Sequence, residues 1–583
     1  MGRPDFPGGA SILDFEYHFN GRDGNCPVPV AMVVRSLETG AVLRFFQDDL
    51  GAMSHPPFEV GDDSLTIVFM ASAEVTCFLA LGWPIPCNII DVHVEFRKLT
   101  NGRVLPAGNG LLGAAMYFGL PHLDVGAKEI MRDLILSGGP WTAEEQVRIL
   151  DYCQSDVDTT AELFEKIEPL IDWSRALNRG RYMAVVAGIE RRGIPIDVET
   201  YAAIQAGGEG LRARLIAEVD QHYEVFNNGS FIAAKFEDYL RRQEILDWTR
   251  LPSGCLELQE DTFRDMARRY PQINDLRELR ASLSQLRDPK LAIGEGDRNR
   301  CSPMPFQSKT GRNQPSTTRS IFGPATWMRG LIKPESGMGL AYIDWSQQEF
   351  GIAAALSGDK NMQEAYQSGD PYLAFAKQAG AVPPNATKDT HPHERAQYKL
   401  CALGVQYGMS AWGMARKHGM SVALAQRLID AHKRTYAQFW KWSDAAVDCA
   451  VLTGHLWTVF GWEIHVQGEV NERSLRNWPM QANGAEMLRL ACVLLHERGI
   501  SVCAPVHDAV LIEAPLDELD AAVRTAQETM AEASRLVLDG FELSTDVKIV
   551  RYPDRYMDER GAEMWARVMA LLDELGAEGG RNA

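Results

Sequence analysis

The chain has 583 residues, 45% of them hydrophobic, and a formal net charge of −19. That length corresponds to about four domain-sized units, and the apolar share is enough for full cores, which excludes wholesale disorder. No apolar run reaches the roughly 18 residues of a membrane span, and the start, MGRPDFPGGASILDFEYHF, has no basic region followed by an apolar stretch, so neither a span nor a secretory leader is expected.

The ten cysteines are scattered without a C-x-x-C pair, the usage of reduced thiols in a cytoplasm and not of a disulfide framework or zinc site. Phe6 stands where a myristoylation signal beginning at Gly2 would need Ser or Thr. The acidic total argues only weakly against nucleic acid, because phosphate affinity follows local basic patches. One arginine-rich stretch runs from Arg264 through Arg287 to Arg300, and a second takes in Arg312, Arg319, Arg329 and Lys333. Acids are interleaved with the first, so solvated helix faces explain it equally well.

In chain order, residues 1–175 read as an α/β unit, with strands at Ser11–Phe19 and Ala31–Leu37 and helices near Ser72–Leu81 and Glu144–Ile167. After Pro169 the pattern is mostly helical, with Asp197 placed as an N-cap. A Gly/Pro/Asn-rich passage from Gly294 to Pro315 precedes a second α/β region. There the pattern predicts a strand at Gly339–Asp344, helices from about 345 to 450, a hairpin near Gly454–Val466 and a helix at Pro479–Arg498. The apolar run Ala504–Glu513 then reads as one buried strand.

That last strand carries His507 and Asp508 side by side. A charge buried alone costs several kcal/mol, so Asp508 needs a partner or a metal. Asp344, where a strand gives way to a helix, is a second carboxylate at a position that active-site groups often take in α/β folds. Two such aspartates on adjacent strands could hold two Mg²⁺ ions roughly 3.5–4 Å apart for an in-line phosphoryl displacement. A helix N-cap at Asp344 and a polar core contact between Asp508 and His507 are the plain alternatives. A third segment bears on the choice: Arg395, Lys399, Leu403 and Tyr407 recur every four residues, one helical stripe suited to a nucleotide's phosphates and base.

Together these segments resemble family A DNA polymerases, the bacterial DNA polymerase I type. Asp344-Trp-Ser-Gln-Gln-Glu349 is similar to the first palm motif, Arg395 to Gly408 to the fingers helix, and His507-Asp508 to the second palm motif. Thr310-Gly-Arg312 and the set Arg473, Asn477 and Gln481 extend the resemblance over about residues 180–556. It implies that Asp344 and Asp508 bind two Mg²⁺, for which Mn²⁺ can substitute, with His507 near the primer end. Arg395 and Lys399 would bind the incoming triphosphate, Lys399 also being a proton donor to pyrophosphate. Leu403, Tyr407 and Gln347 would complete the nucleotide site, with Tyr407 beside the templating pair, and Glu349 would be the gate against a 2′-hydroxyl. Arg312, Arg473, Asn477 and Gln481 would touch primer and template. Departures are Leu403 in place of an aromatic, Gly351 in place of Arg, Ala509 in place of Glu, and Asn313-Gln-Pro-Ser316 in place of the usual primer-strand motif.

At the front, Asp14 and Glu16 alternate onto one strand face, and Tyr152 and Asp156 share a helix face. Alone, D-x-E is a weak signal. With the polymerase-like body, the front resembles the 3′→5′ proofreading exonuclease of that family. Asp14, Glu16 and Asp156 would then be metal ligands, and Tyr152 would orient the attacking water. Glu74 is the middle carboxylate, with Asp91 as its competitor.

The implied fold class is α/β multidomain, an RNase H-like exonuclease domain followed by a right-hand polymerase of palm, fingers and thumb. The divisions are 1–175 exonuclease-like, 176–310 thumb and lead-in, 311–352 first part of the palm, 353–469 fingers, and 470–583 second part of the palm. This arrangement fills the chain without an additional 5′-nuclease domain. Primer-template DNA and dNTPs are the expected partners, with replication accessory proteins possible and no membrane; a monomer in a bacterial or phage-infected cytoplasm is expected, of phage or prophage type. Three alternatives stand beside it: an inactive structural front domain, a non-catalytic primer-template binding protein, and a single-subunit RNA polymerase, against which Glu349 argues.

Overall fold

The computed structural model describes residues 3–21, 24–121, 125–286, 290–323, 326–468 and 471–579. Met1, Gly2 and Arg287 lie outside them. The front unit is a five-stranded sheet of β1 (Ala10–Phe19), β2 (Pro27–Ser36), β3 (Val42–Phe46), β4 (Leu65–Val68) and β5 (Ile89–Asp91), in the order β3-β2-β1-β4-β5. β1 pairs antiparallel with β2 and parallel with β4. The apolar runs PVPVAMVV and LTIV are buried almost throughout, as strands covered on both faces require.

The covering helices are α1 (Ala71–Leu81), α2 (Val92–Thr100), α3 (Val125–Leu136) and α4 (Ala143–Ile167). Thr142 and Glu145 form a reciprocal capping box at the start of α4, which satisfies two otherwise unpaired N–H groups. Asp91 caps α2 by accepting from Val94 N–H at 2.9 Å and also accepts from Ala71 N–H at 2.8 Å.

A long helix, α5 (Trp173–Arg192), links this unit to the rest of the chain. Arg179 on α5 forms a buried two-bonded ion pair with Glu95 at 2.7 and 2.8 Å. Next to it Gly180 lies against the backbone of Ile89, where a Cβ would come within 2.0 Å of the carbonyl oxygen. One hydrophobic core runs without a break from Phe15 and Phe78 in the front unit, through Tyr182 and Val186, to Ile343 and Val510. A second core gathers the helices of 198–286, where Asp197 caps its helix as predicted. The C-terminal helix Ala562–Gly579 returns to this block, with Arg214 paired to Glu574 at 3.0 Å.

The second α/β region centres on β6 (Met338–Trp345), followed by α6 (Gln348–Ser357) and α7 (Pro392–Gln406). The hairpin β7 (His455–Trp457) and β8 (Glu463–His465) sits against the front unit: His465 N–H donates to Asn101 and the Asn101 amide donates to Glu463 C=O. His455, Glu463 and His465 gather here, but Lys98 lies 3.8 Å from Glu463 and His465 Nε2 is 2.8 Å from Leu99 C=O. The cluster is therefore a junction between units.

Helix α8 (Glu472–Glu497) begins seven residues before the expected Pro479. Asn471 caps it through Ser474 N–H at 3.1 Å, and Pro479 is accommodated inside, although proline usually ends or kinks a helix. The predicted single strand Ala504–Glu513 is instead two, β9 (Ser501–Val506) and β10 (Ala509–Pro515), paired Val506 to Ala509. His507 and Asp508 are the two-residue turn between them, with His507 at φ +56°. With β11 (Thr545–Arg551), the sheet is antiparallel in the order β9-β10-β6-β11.

Many arginines of the Arg264–Arg300 stretch are spent internally. Arg277 faces Glu260 and Glu278, Arg280 stacks on Phe231 and Phe263, and Arg298 pairs with Glu513 at 2.7 Å.

Candidate active sites

The first candidate site forms where that turn meets the end of β6. Trp345 N–H donates to Asp508 C=O at 3.1 Å, fixing the turn against β6. Asp344 stands opposite Ala509 on one side and Asp546 of β11 on the other. It is not a helix cap, because Gln347, in the left-handed region at φ +45°, separates it from α6. Among the described residues neither Asp344 nor Asp508 makes a salt bridge or a side-chain hydrogen bond to another residue, so the proposed core contact with His507, which is exposed, is not formed.

Burial, and then the charges of Asp508 and Asp546, push Asp344 up to about 6. Asp508 is also raised by burial, with Arg312 and His507 opposing. Repelling carboxylates with no side-chain cation bound are a donor set of hard oxygens that a divalent ion would relieve. Asp546 escaped the sequence reading because only strand register, which alternation in a short edge strand does not fix, brings it beside Asp344. Its carboxylate accepts from Ser346 Oγ at 2.7 Å.

The stripe on α7 is as predicted: Arg395, Lys399 and Leu403 lie on the helix and Tyr407 at its C-cap. Arg395 is paired with Asp370, and both Arg395 and Lys399 lie over the Tyr372 ring, 5.9 and 5.6 Å from its centroid. Burial raises the Tyr407 hydroxyl, followed by the charge of the nearby Glu349. Glu349 in turn lies 3.4 Å from Arg312. Arg312 thus lies between Glu349, which it touches, and Asp508, whose charge it opposes.

Arg312 is held by a loop with several anchors that sequence reasoning missed. Trp462 and Trp478 donate to Lys309 C=O at 3.3 and 3.0 Å, and Arg489 donates to Gly311 C=O at 2.6 Å. Arg489 itself forms a buried pair with Glu486, which accepts from Thr458 at 2.8 Å. Nothing in their spacing marks these residues, since a buried pair at i, i+3 looks like any helix-surface pair. Arg473, Asn477 and Gln481 follow one face of α8. Arg473 donates to Tyr407 C=O, and Asn477 Oδ1 is buried without a hydrogen-bond partner.

Two departures from the family pattern have structural causes. A Cβ at Gly351 would come within 2.4 Å of Leu543 and 2.9 Å of Tyr366, so no side chain fits there. The Tyr366 hydroxyl holds that space by donating to Ser346 C=O at 2.9 Å and accepting from Ser544 N–H at 3.1 Å. Ala509 is fully buried on the Asp344 row.

In the front unit, Asp14 and Glu16 on β1 meet Tyr152 and Asp156 on α4, and Glu74 on α1 closes the group. Burial raises Asp14, followed by the charge of Asp156, while the Cys153 thiol, 3.5 Å away, and Lys128 oppose. Glu16 is raised by burial and by Asp14 and Asp156. Glu74 accepts from Phe15 N–H at 2.8 Å and is raised by burial and Asp14. Asp91, the competing choice for the middle carboxylate, is occupied as a double cap of α1 and α2. Asp156 accepts from Lys128 of α3 at 2.9 and 3.2 Å, with Tyr152 near enough to affect its titration. Lys128 was not anticipated, since a lone lysine on an amphipathic helix carries no sequence signal.

Comparison with known proteins follows the same lines. Residues 316–551 match the profile of DNA polymerase family A. DNA polymerase I of Chloroflexus aurantiacus is 26% identical over 427 residues, 66% of this chain and 44% of that protein. The thermostable DNA polymerase I of Thermus aquaticus is 30% identical over 217 residues, 35% of this chain and 26% of that one. The DNA polymerase of Mycobacterium phage D29 is 25% identical over 409 residues, 67% of this chain and 66% of that one. This chain thus spans less than half the length of the two polymerase I relatives. The fold is similar to the POL domain of Pol1 from M. smegmatis, solved with DNA primer-template and dNTP, with a TM-score of 0.71, 17% identity, and 93% of this chain and 95% of that chain covered. Residues 316–551, the part of the chain that matches DNA polymerase family A, contain Asp344, Asp508 and the α7 stripe.

Proposed function

We propose that the chain is a DNA-directed DNA polymerase that extends a primer 3′-hydroxyl with dNTPs. The observation that supports this reading is that Asp344 and Asp508, drawn together at the strand ends, share their electrostatic surroundings with Arg312, which lies 3.4 Å from Glu349 near Tyr407 of the cation-bearing helix α7. The division into an exonuclease-like unit at 1–175, thumb at 176–310, palm at 311–352 and 470–583 and fingers at 353–469 belongs to the same proposal.

Asp344 and Asp508 would hold Mg²⁺ or Mn²⁺, which when bound supplies charge for the attacking oxygen and the transferring phosphorus. Arg395 and Lys399 neutralise the triphosphate, Arg395 leaving Asp370 to do so. The 3′-oxygen bonds to the α-phosphorus, its proton passing to water, and the bond to pyrophosphate breaks. Lys399 donates a proton to the departing pyrophosphate. Glu349, paired with Arg312, fills the place of a 2′-hydroxyl and so selects deoxynucleotides. Leu403 and Gln347 line the nucleotide, while His507, Arg312, Arg473, Asn477 and Gln481 position primer and template.

The front cluster of Asp14, Glu16, Glu74, Asp156 and Tyr152 supports a proofreading 3′→5′ exonuclease, with Asp14, Glu16 and Asp156 as metal ligands. Occupation of Asp156 by Lys128 favours the second reading, a front unit that is only structural. A labelled primer-template incubated with Mg²⁺, with and without dNTPs, separates them. Loss of extension only in Asp508→Ala, and of shortening only in Asp14→Ala, is the expected result. Extension without shortening in the unaltered chain assigns the front unit a structural role. Normal extension by Asp508→Ala refutes the polymerase assignment.

A further inference from the structure

Lys128 is the feature the proposed chemistry leaves unexplained. Its ammonium lies on both oxygens of Asp156, at 2.9 and 3.2 Å, with the two side chains only 22% and 14% exposed. Among the described residues it is the one cation whose charge acts on Asp14, Glu16 and Asp156 alike. A partly buried pair with both acceptor oxygens engaged is held far more firmly than a surface pair. A divalent ion approaching Asp156 would meet its oxygens already taken and a positive charge in the way.

Lys128 also lines a cavity of about 410 Å³, together with Glu16, Tyr152, Arg132 and Glu129. The cavity therefore reaches the cluster at Glu16 and Tyr152 and offers two cationic side chains, Lys128 and Arg132, beside the one further acid Glu129. Lysine reaches with a flexible four-carbon stem and a point charge, so its ammonium can turn from Asp156 into the cavity without moving α3. A phosphate there offers it a replacement anion.

We infer that Lys128 is a resident cation that excludes a divalent ion from Asp156 until an anionic nucleotide in the adjoining cavity draws it away. Metal loading and nucleotide entry are then linked, each favouring the other. Lys128 is a positioning residue in this scheme, since it acts through Asp156. The inference rests on the nuclease reading of the front cluster, and its test is arranged so that the two can fail separately.

The test uses the full chain with Asp344→Ala and Asp508→Ala, so that the palm contributes no metal site, and titrates Mn²⁺ by electron paramagnetic resonance. Lys128→Met should bind Mn²⁺ at least about tenfold more tightly than the chain retaining Lys128. Thymidine 5′-monophosphate should tighten Mn²⁺ binding when Lys128 is present and leave Lys128→Met unaffected. Lys128→Arg, which keeps the charge, should behave like the lysine chain, and circular dichroism checks that each variant is folded. Mn²⁺ affinity equal within about twofold with and without Lys128 overturns the inference. A nucleotide effect that survives in Lys128→Met overturns the linkage. Tighter Mn²⁺ in Lys128→Met, with no primer shortening by Lys128→Met or the unaltered chain when both keep Asp344 and Asp508, rejects the nuclease reading and leaves the competition at Asp156 standing.

Discussion

One carboxylate cluster gathers at the end of β6 and the other around the middle of β1, and they manage repulsion in opposite ways. Asp344 and Asp508 repel each other with no side-chain cation bound to either among the described residues, and Asp344 is pushed up to about 6. In the front unit, Asp156 is already paired with Lys128 through both of its oxygens. Folding a protein around unpaired acids is costly, so a cluster left open points to an external cation, whereas an internally paired one is stable without it. Of the two, the Asp344–Asp508 pair is therefore the one we propose as the stronger metal site.

The largest effect that would sharpen this contrast is on proton supply. Lys399→Ala should slow single-nucleotide incorporation by about 10²–10⁴-fold, the range of general-acid contributions, and leave any primer shortening by the front unit unchanged. A loss that appears only in nucleotide affinity, with the rate intact, would reduce Lys399 to a phosphate contact.

Next comes pH. Because Asp344 holds its proton to about 6, ions must compete with that proton, and palm affinity for Mg²⁺ should fall by up to about tenfold per pH unit below 6. The sign for stability is opposite. Between about 4 and 6 the metal-free folded state retains a proton that the unfolded state has lost, so this group's contribution to stability declines as pH rises through that window. Calorimetric Mg²⁺ titrations of the Asp14→Ala chain from pH 5 to 8 check the affinity; a flat profile would break the contrast between open and paired clusters. The smallest effect concerns selection: Glu349→Ala should narrow discrimination against ribonucleotides by about 10–100-fold, measured as the ratio of kcat/KM values. An unchanged ratio removes Glu349 from the gate.

Much of this was legible in the chain. The α7 stripe, Asp344 at a strand end, Asp197 as a cap and the paired motifs on β1 and α4 came from periodicity and spacing, which local sequence encodes directly. The turn at His507-Asp508 did not, because an unbroken apolar run hides a two-residue reversal when the turn residues are read as strand interior. Pro479 misplaced the start of α8 because tertiary packing outweighed proline's local preference. Asp546, Lys128, and the Arg489–Glu486 pair behind Arg312 depend on which elements become neighbours, and a single sequence carries no trace of that.

The most direct test of the central claim is single-turnover incorporation by Asp344→Asn, which removes the charge while keeping the shape, together with primer-template affinity for the same protein. The account predicts a rate loss of about 10³-fold or more with DNA affinity nearly unchanged. Incorporation at the unaltered rate would contradict it.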